Sequence, residues 1–297
     1  MDTADIRRFK EQVWEEWTDS DIVAGWSKWY PKFAVQSQAV TEALIEAAGI
    51  QRGMEVLDLA SGPGDPAITL AKWVAPSGHV MATDLSPGMV AAAASNARKE
   101  GIDNIGCQQA DAEALPFPDQ AFDAVTCRFG IMFCMDVQQA LDEIYRVLKP
   151  GGQAAFAVWG PPSEQSFIAI TMNVLSQYAP LPACEIGAPN MFNFARTGSI
   201  STVLLEAGFQ QVEERFHRIS MPWPGPPEEY SCYIQETAGP ARQVLKTIAP
   251  EQRKEVICKL TEEYRRYHDG ACTDFPAAVI VASGQRRDRQ DQGVGVD

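Results

Sequence analysis

Between Met54 and Trp159 the chain alternates short apolar runs with helix-length stretches, and no other feature of its 297 residues constrains the fold as tightly. The strand-like runs are Glu55–Leu59, Val80–Thr83, Ile105–Gln108, Ala124–Arg128 and Gln153–Val158. Between them Ala67–Val74, Met89–Glu100 and Val137–Leu148 carry helical spacing. Strands this apolar need cover on both faces. The pattern therefore predicts the α/β class: a Rossmann-like, doubly wound, mostly parallel sheet with helices on both faces. The flanks read differently. Residues 5–50 place Ile6, Phe9, Val13, Trp17, Val40, Leu44, Ala47 and Ala48 at roughly helical spacing, which predicts N-terminal helices. Beyond Trp159, Phe167–Tyr178 and Ser199–Ala207 read as helices and Gln211–Met221 as a strand. Pro222–Pro227 breaks structure, Glu228–Tyr267 is mostly helical, and Ala277–Ala282 is a last strand. The polar tail from Gln285 is expected to be disordered.

Chemistry enters where the first strand ends. Glu55–Leu59 runs into Ala60-Ser61-Gly62-Pro63-Gly64-Asp65-Pro66, a glycine-bearing turn in front of a helix. Asp65 is placed to cap that helix, and Pro66 suits its first position, where a missing N–H costs little. Glycines here let backbone approach a ligand at the carboxyl edge of a sheet. The second strand ends at Asp84, 20 residues beyond Gly64. An acid there can accept hydrogen bonds from both ribose hydroxyls, so the combination predicts a cofactor of the adenosine type. Ser86-Pro87 then opens a further helix with a capping hydroxyl and a proline behind it.

These segments carry a resemblance. Val56-Leu57-Asp58-Leu59-Ala60-Ser61-Gly62-Pro63-Gly64 resembles motif I of the class I S-adenosylmethionine-dependent methyltransferases, and Ala82-Thr83-Asp84-Leu85-Ser86 resembles motif II. Asp111-Ala112-Glu113-Ala114-Leu115-Pro116-Phe117 is similar to the segment that approaches the adenine amino group. Phe122-Asp123-Ala124-Val125 and Leu148-Lys149-Pro150-Gly151-Gly152 are similar to the lead into strand four and the turn before strand five. The branch most resembled is the ubiquinone/menaquinone-biosynthesis-like (methyltransferase type 11) group. Ala60 departs from the pattern, since many members carry glycine there.

The resemblance implies S-adenosylmethionine as cofactor and S-adenosylhomocysteine as product. It implies that Ala60, Ser61, Gly62 and Gly64 wrap the methionine portion, with Asp58 beside them. Asp84 would hold the ribose, Leu85 and Met89 would pack on the nucleoside, and Asp111, Ala112 and Glu113 would meet the adenine edge. Arg128 falls where the family supplies a backbone contact near the amino acid moiety. Asp123 is expected to serve structure. The implied organisation is an N-terminal helical lid (1–50), a cofactor-binding core (51–221), a helical cap insertion (222–274), a final core strand (275–284) and a tail (285–297).

Methyl transfer needs alignment and removal of water more than covalent help, and needs a base only when the acceptor loses a proton. Of His79, His217 and His268, His217 is the best placed to be catalytic. Trp26, Trp29 and Tyr30, where relatives place a lid, and Phe129, Met132 and Trp159, which follow strands four and five, are expected to shape an acceptor pocket. Such a rim favours an apolar or aromatic small molecule, methylated at O, C or N. The alternative is a protein of the same fold that binds the cofactor without transferring methyl, such as a non-redox cyclase or a regulatory module.

Composition narrows the partners. A net charge of −14 disfavours nucleic acid, because phosphate neutralisation needs a basic face. The seven cysteines and three histidines show no metal-ligand spacing, so no metal site is expected. No apolar run is long enough for a membrane span and the first ten residues lack a signal-peptide pattern, which predicts a cytoplasmic protein, monomeric or homodimeric.

Overall fold

The structure, a computed structural model, describes residues 3–181 and 188–287. Three helices open the chain: α1 (Thr3–Thr18), α2 (Ser20–Gln36) and α3 (Gln38–Ala47). Then come β1 (Glu55–Leu59), α4 (Ala67–Val74), β2 (His79–Asp84), α5 (Pro87–Lys99), β3 (Ile105–Gln109), β4 (Phe122–Arg128), α6 (Val137–Val147) and β5 (Leu148–Trp159). The second half adds α7 (Ser166–Leu175), α8 (Ser199–Glu206), β6 (Gln210–Trp223), α9 (Pro227–Thr237), α10 (Gly239–Thr247), α11 (Pro250–Arg265) and β7 (Thr273–Gln285).

The seven strands form one sheet in the order β3-β2-β1-β4-β5-β7-β6. Pairing is parallel from β3 through β5, and β7 lies antiparallel to both β5 and β6. Order reverses between β1 and β4, so the tips of β1, β2 and β4 open onto one crevice. Helices cover both faces of the sheet. Its core is continuous, with Val56, Leu57, Val125, Ala155, Phe156 and Ile280 fully enclosed. A second apolar cluster joins Trp29 of α2, Leu175 of α7, and Trp223, Tyr230, Tyr233, Leu260, Tyr264 and Phe275. It ties α9–α11 to the ends of β6 and β7.

Three local expectations change. Asp65 does not cap α4: Pro66 is the capping residue, with no side-chain bond, and the Asp65 carboxylate pairs with Arg128 instead. Strand β6 runs through Pro222 and Trp223, which pair with Asp274 and Thr273. Proline fits because β6 is the sheet edge, where one side of the strand owes no ladder bond. Gln285 still belongs to β7, paired with Gln153, and the Arg286 guanidinium donates to the carbonyls of Tyr145 and Arg146 at 2.8 Å. The rest of the expected tail, from 288, lies outside the described residues. Among those described, no helix is long and apolar enough to cross a membrane.

Candidate active site

A cavity of about 750 Å³ opens over the carboxyl ends of β1, β2 and β4, within the usual size range of small-molecule sites. Its floor is the turn after β1. Ala60 (φ 52°) and Gly62 (φ 53°) both adopt left-handed backbone, which bends the chain tightly along the cavity floor, with the Ser61 amide donating to the Thr83 carbonyl at 2.9 Å. For alanine that conformation costs about 1–2 kcal/mol, and its methyl needs room. Gly130 supplies the room, since a Cβ there would overlap the Ala60 Cβ and approach Cys127 Sγ to 2.8 Å. Gly64 does a different job. It lines no part of the cavity, and a side chain on it would meet Ile68 Cδ1 at 2.8 Å and Ala93 Cα at 3.3 Å, so it lets α4 and α5 close together.

Asp84, at the tip of β2, faces this floor. One carboxylate oxygen accepts from the Gly62 amide and the other from the Ser86 amide, each at 2.9 Å. Burial pushes its pKa up to about 6, against the pull of those amides. Each oxygen keeps a second lone pair, the right provision for two vicinal hydroxyls. Ser61 Oγ, in the cavity wall, and Asp58 Oδ2 beneath it are buried without a partner among the described residues. Asp58 is fully enclosed, its other oxygen held by Thr126 Oγ1 at 2.6 Å, and burial raises its pKa to about 7. The unpartnered Ser61 hydroxyl, able to donate or accept, suits a ligand with an ammonium and a carboxylate, whereas the enclosed Asp58 lines no part of the cavity. Leu85, Met89, Asp111 and Ala112 continue the wall. Asp111 Oδ1 accepts from the Glu113 amide at 2.9 Å, a turn bond. The Glu113 carboxylate is occupied: it takes the amides of Met135 (2.8 Å) and Asp136 (3.1 Å) and pairs with Lys10 of α1.

Arg128 contributes its side chain, where the resemblance implied only backbone. The guanidinium is buried, 2.6 Å from Asp65 Oδ2, and donates to Ser37 Oγ (2.8 Å), Thr41 Oγ1 (2.7 Å) and the Asp65 carbonyl (2.9 Å). One cation thus ties the end of β4, the β1 turn and the α2–α3 junction. Asp123 accepts from the Glu55 amide and from Lys149, both at 2.8 Å, a structural role as expected.

Over the floor sits an aromatic roof. Phe129 (φ 60°) stacks on Trp159 at 4.0 Å, and both line the cavity. Trp26 lines it too, packed edge-on against Phe33 at 5.0 Å and Tyr233 at 5.9 Å. Tyr30 contributes its ring, while its hydroxyl donates to Glu100 at 2.9 Å. Besides Gly64 and the enclosed Asp58, three expected residues lie elsewhere. Trp29 turns into the second cluster, its Nε1 donating to Glu236 at 2.7 Å, because the next helix position faces α9 and not the sheet. Met132 is fully buried in the main core, carried inward by the 3-10 turn Ile131–Phe133. His217 is opposite Val279 in the edge strand β6 and lines no part of the cavity, which removes it as the catalytic base. The sequence reading missed the face of α1 that carries Lys10, Trp14, Glu16 and Trp17, and the Tyr230/Tyr233 pair of α9. Aromatic residues three apart in otherwise charged segments were the available signal.

The model of the ubiE/COQ5 methyltransferase family matches residues 36–179. A ubiquinone/menaquinone biosynthesis C-methyltransferase from Escherichia coli O1:K1 / APEC is 33% identical over 179 residues, covering 57% of this chain and 71% of the relative. The chain belongs to the ubiE/COQ5 methyltransferase family. Its members depend on S-adenosylmethionine, and this chain is an S-adenosylmethionine-dependent methyltransferase whose cradle fits that cofactor. Among solved structures, the YcgJ protein from Bacillus subtilis superposes with a TM-score of 0.54 at 20% identity, covering 84% of this chain and 99% of its own. The [4+2]-cyclase SpnF superposes at 0.53 with 21% identity, covering 85% and 82%. At such identities these two speak for the fold alone. That a cyclase shares it is a reminder that reaction is set by the site.

Proposed function

We propose that this ubiE/COQ5 family enzyme methylates a ring carbon of a small hydroxylated aromatic acceptor of the quinol class, held flat beneath the aromatic roof. The carrying observation is one continuous cavity in which an amide-and-carboxylate floor faces Trp17, Trp26, Phe33, Phe129 and Trp159. A name shared by the curated relatives, C-methylation in quinone biosynthesis, supports the same class. The acidic balance of the chain argues against nucleic acid as acceptor.

The cofactor supplies a methyl group already activated on a sulfonium. In this reading the chain's own residues do the rest. Asp84 accepts the two ribose hydroxyls; Ser61 Oγ and the Ala60–Gly62 turn border the amino acid end; Asp111 and Ala112 border the adenine; Leu85 and Met89 pack on the nucleoside. The stacked Phe129–Trp159 pair gives the acceptor ring a flat surface and excludes water, so alignment provides most of the acceleration.

The test is production of S-adenosylhomocysteine from a panel of quinols, phenols, polyketides and amines, with the methylated atom assigned by NMR. Quinols turned over at carbon are the expected result. Turnover confined to polar amines, or none despite cofactor binding, would overturn the reading.

A further inference from the structure

Of the carboxylates in the cavity wall, the others are committed or exposed: Asp84 to two amides, Asp111 to one, Glu113 to two amides and Lys10, Asp65 to Arg128, Glu11 to Arg7, with Glu15 exposed to solvent. Glu16 of α1 is different. It is half-buried in the wall and has no hydrogen bond or ion pair among the described residues. Its carboxylate rests against Gly239, where any Cβ would overlap Oε1, so the first residue of α10 is shaped to admit it. The helix that carries it is anchored at the adenine end by Lys10 and Glu113. Glu16 lies six residues on from that anchor, about 9 Å along the helix axis. The next residue, Trp17, packs edge-on against Phe133 at 5.6 Å and near Trp26 at 6.4 Å, within the roof.

Other proton acceptors in the wall are poor. No histidine lines the cavity. Burial drives the Cys127 thiol up to about 12 and raises Cys134, Tyr230 and Tyr233 as well. We propose that the Glu16 carboxylate accepts the hydrogen bond, and then the proton, of the acceptor's ring hydroxyl. This rests on the quinol reading above. As the hydroxyl O–H bond breaks, its proton passes to Glu16 and its electron pair pushes through the ring. The ring carbon para or ortho to that oxygen forms the new bond to methyl, and the sulfur–methyl pair stays on sulfur as a neutral thioether. The ring C–H proton then leaves to water, the oxygen takes its proton back from Glu16, and one proton is released overall.

Burial is the influence that raises the Glu16 carboxyl above the ordinary range, which suits a base working near neutrality. Charged groups on the packed elements are engaged with one another: Arg242 with Asp19 and Asp21, Lys28 with Glu236, Lys32 with Glu229. Lys10, Glu11 and Glu15 flank it on α1, with Lys246 further along α10.

The experiment compares the full-length enzyme with Glu16→Gln and Glu16→Asp. Glu16→Gln should lower kcat on a quinol by roughly 10²–10³-fold, the usual worth of a positioned base. It should leave the S-adenosylhomocysteine Kd within twofold by calorimetry and abolish the acidic limb of the kcat profile. Glu16→Asp should keep that limb with partial activity. The ratio of wild-type to Glu16→Gln rates should shrink toward one for a fluorinated quinol already ionised at the assay pH. A ratio independent of acceptor acidity, or a retained limb in Glu16→Gln, overturns the proposal. So does an undiminished rate, which leaves the acceptor reading standing. A wild-type enzyme that binds cofactor yet turns over no hydroxylated arene defeats both.

Discussion

On the sheet side of the cavity, recognition is built from backbone amides and short acids whose positions follow from where parallel strands stop. On the roof side it is built from long side chains of α1, α2 and α9, brought together from residues more than 200 positions apart, as in the Trp26–Tyr233 contact. The family match, residues 36–179, contains the floor and stops short of α1, most of α2, and α9. The stacked Phe129–Trp159 pair falls inside that match, so the part of the roof lying outside it is the part that α1, α2 and α9 supply. Arg128 joins floor and roof, since its guanidinium spans the β1 turn and the α2–α3 junction.

The largest expected effect breaks that junction. Arg128→Met removes one partner of a buried pair and leaves the Asp65 carboxylate uncompensated, a loss of about 3–5 kcal/mol in urea unfolding. A loss under about 1 kcal/mol would mean floor and roof are held together some other way.

Next in size, Asp84→Ala should weaken S-adenosylhomocysteine binding by about 2–3 kcal/mol, since two charge-assisted hydrogen bonds vanish. Calorimetry on folded protein checks it. Set beside Glu16→Gln, which should spare cofactor binding, it sharpens the contrast; matched losses in both would erase it.

A smaller effect probes the floor's backbone. Gly130→Ala should destabilise by about 1–3 kcal/mol through overpacking against the Ala60 methyl. Because Ala60 sits at φ 52°, Ala60→Gly should recover about 1 kcal/mol of the loss in the double variant. Simple additivity in thermal melts would count against the contact.

The smallest concerns pH. With the free-enzyme pKa of Asp84 near 6, lowering pH from 7.5 to 5.5 should weaken cofactor binding about fourfold, since ribose hydroxyls donate only to the ionised form. For folding alone the sign is opposite. Both Asp58 and Asp84 have folded pKa values above the ordinary 3.8, so the native state binds the extra proton between about pH 4 and 7, and stability rises as pH falls through that window. A cofactor affinity that is flat over this range would show that Asp84 is ionised throughout.

Much of the floor was legible in the sequence because local chemistry dictates it. Apolar runs must be strands buried on both faces, the glycine bend must follow β1, and Ser86-Pro87 must open α5, where Ser86 Oγ does accept the Met89 amide. The roles of neighbours were less legible. Asp65 reads as a helix cap until Arg128, 63 positions away, is seen to claim it. His217 reads as a base until β6 is found at the sheet edge, beyond β7.

By itself, then, the sequence determined the strand–helix alternation, the crevice over β1, β2 and β4, and the acids at its rim. These depend on periodicity and on residues close in the chain. Only the tertiary structure decided that α1 and α9 complete the roof while Trp29 and Met132 leave it, that Arg128 is buried against Asp65, and that Glu16 is left without a partner among the described residues beside Gly239. A helix presents several faces, and which one meets the cavity is fixed by packing against distant elements that no local pattern encodes.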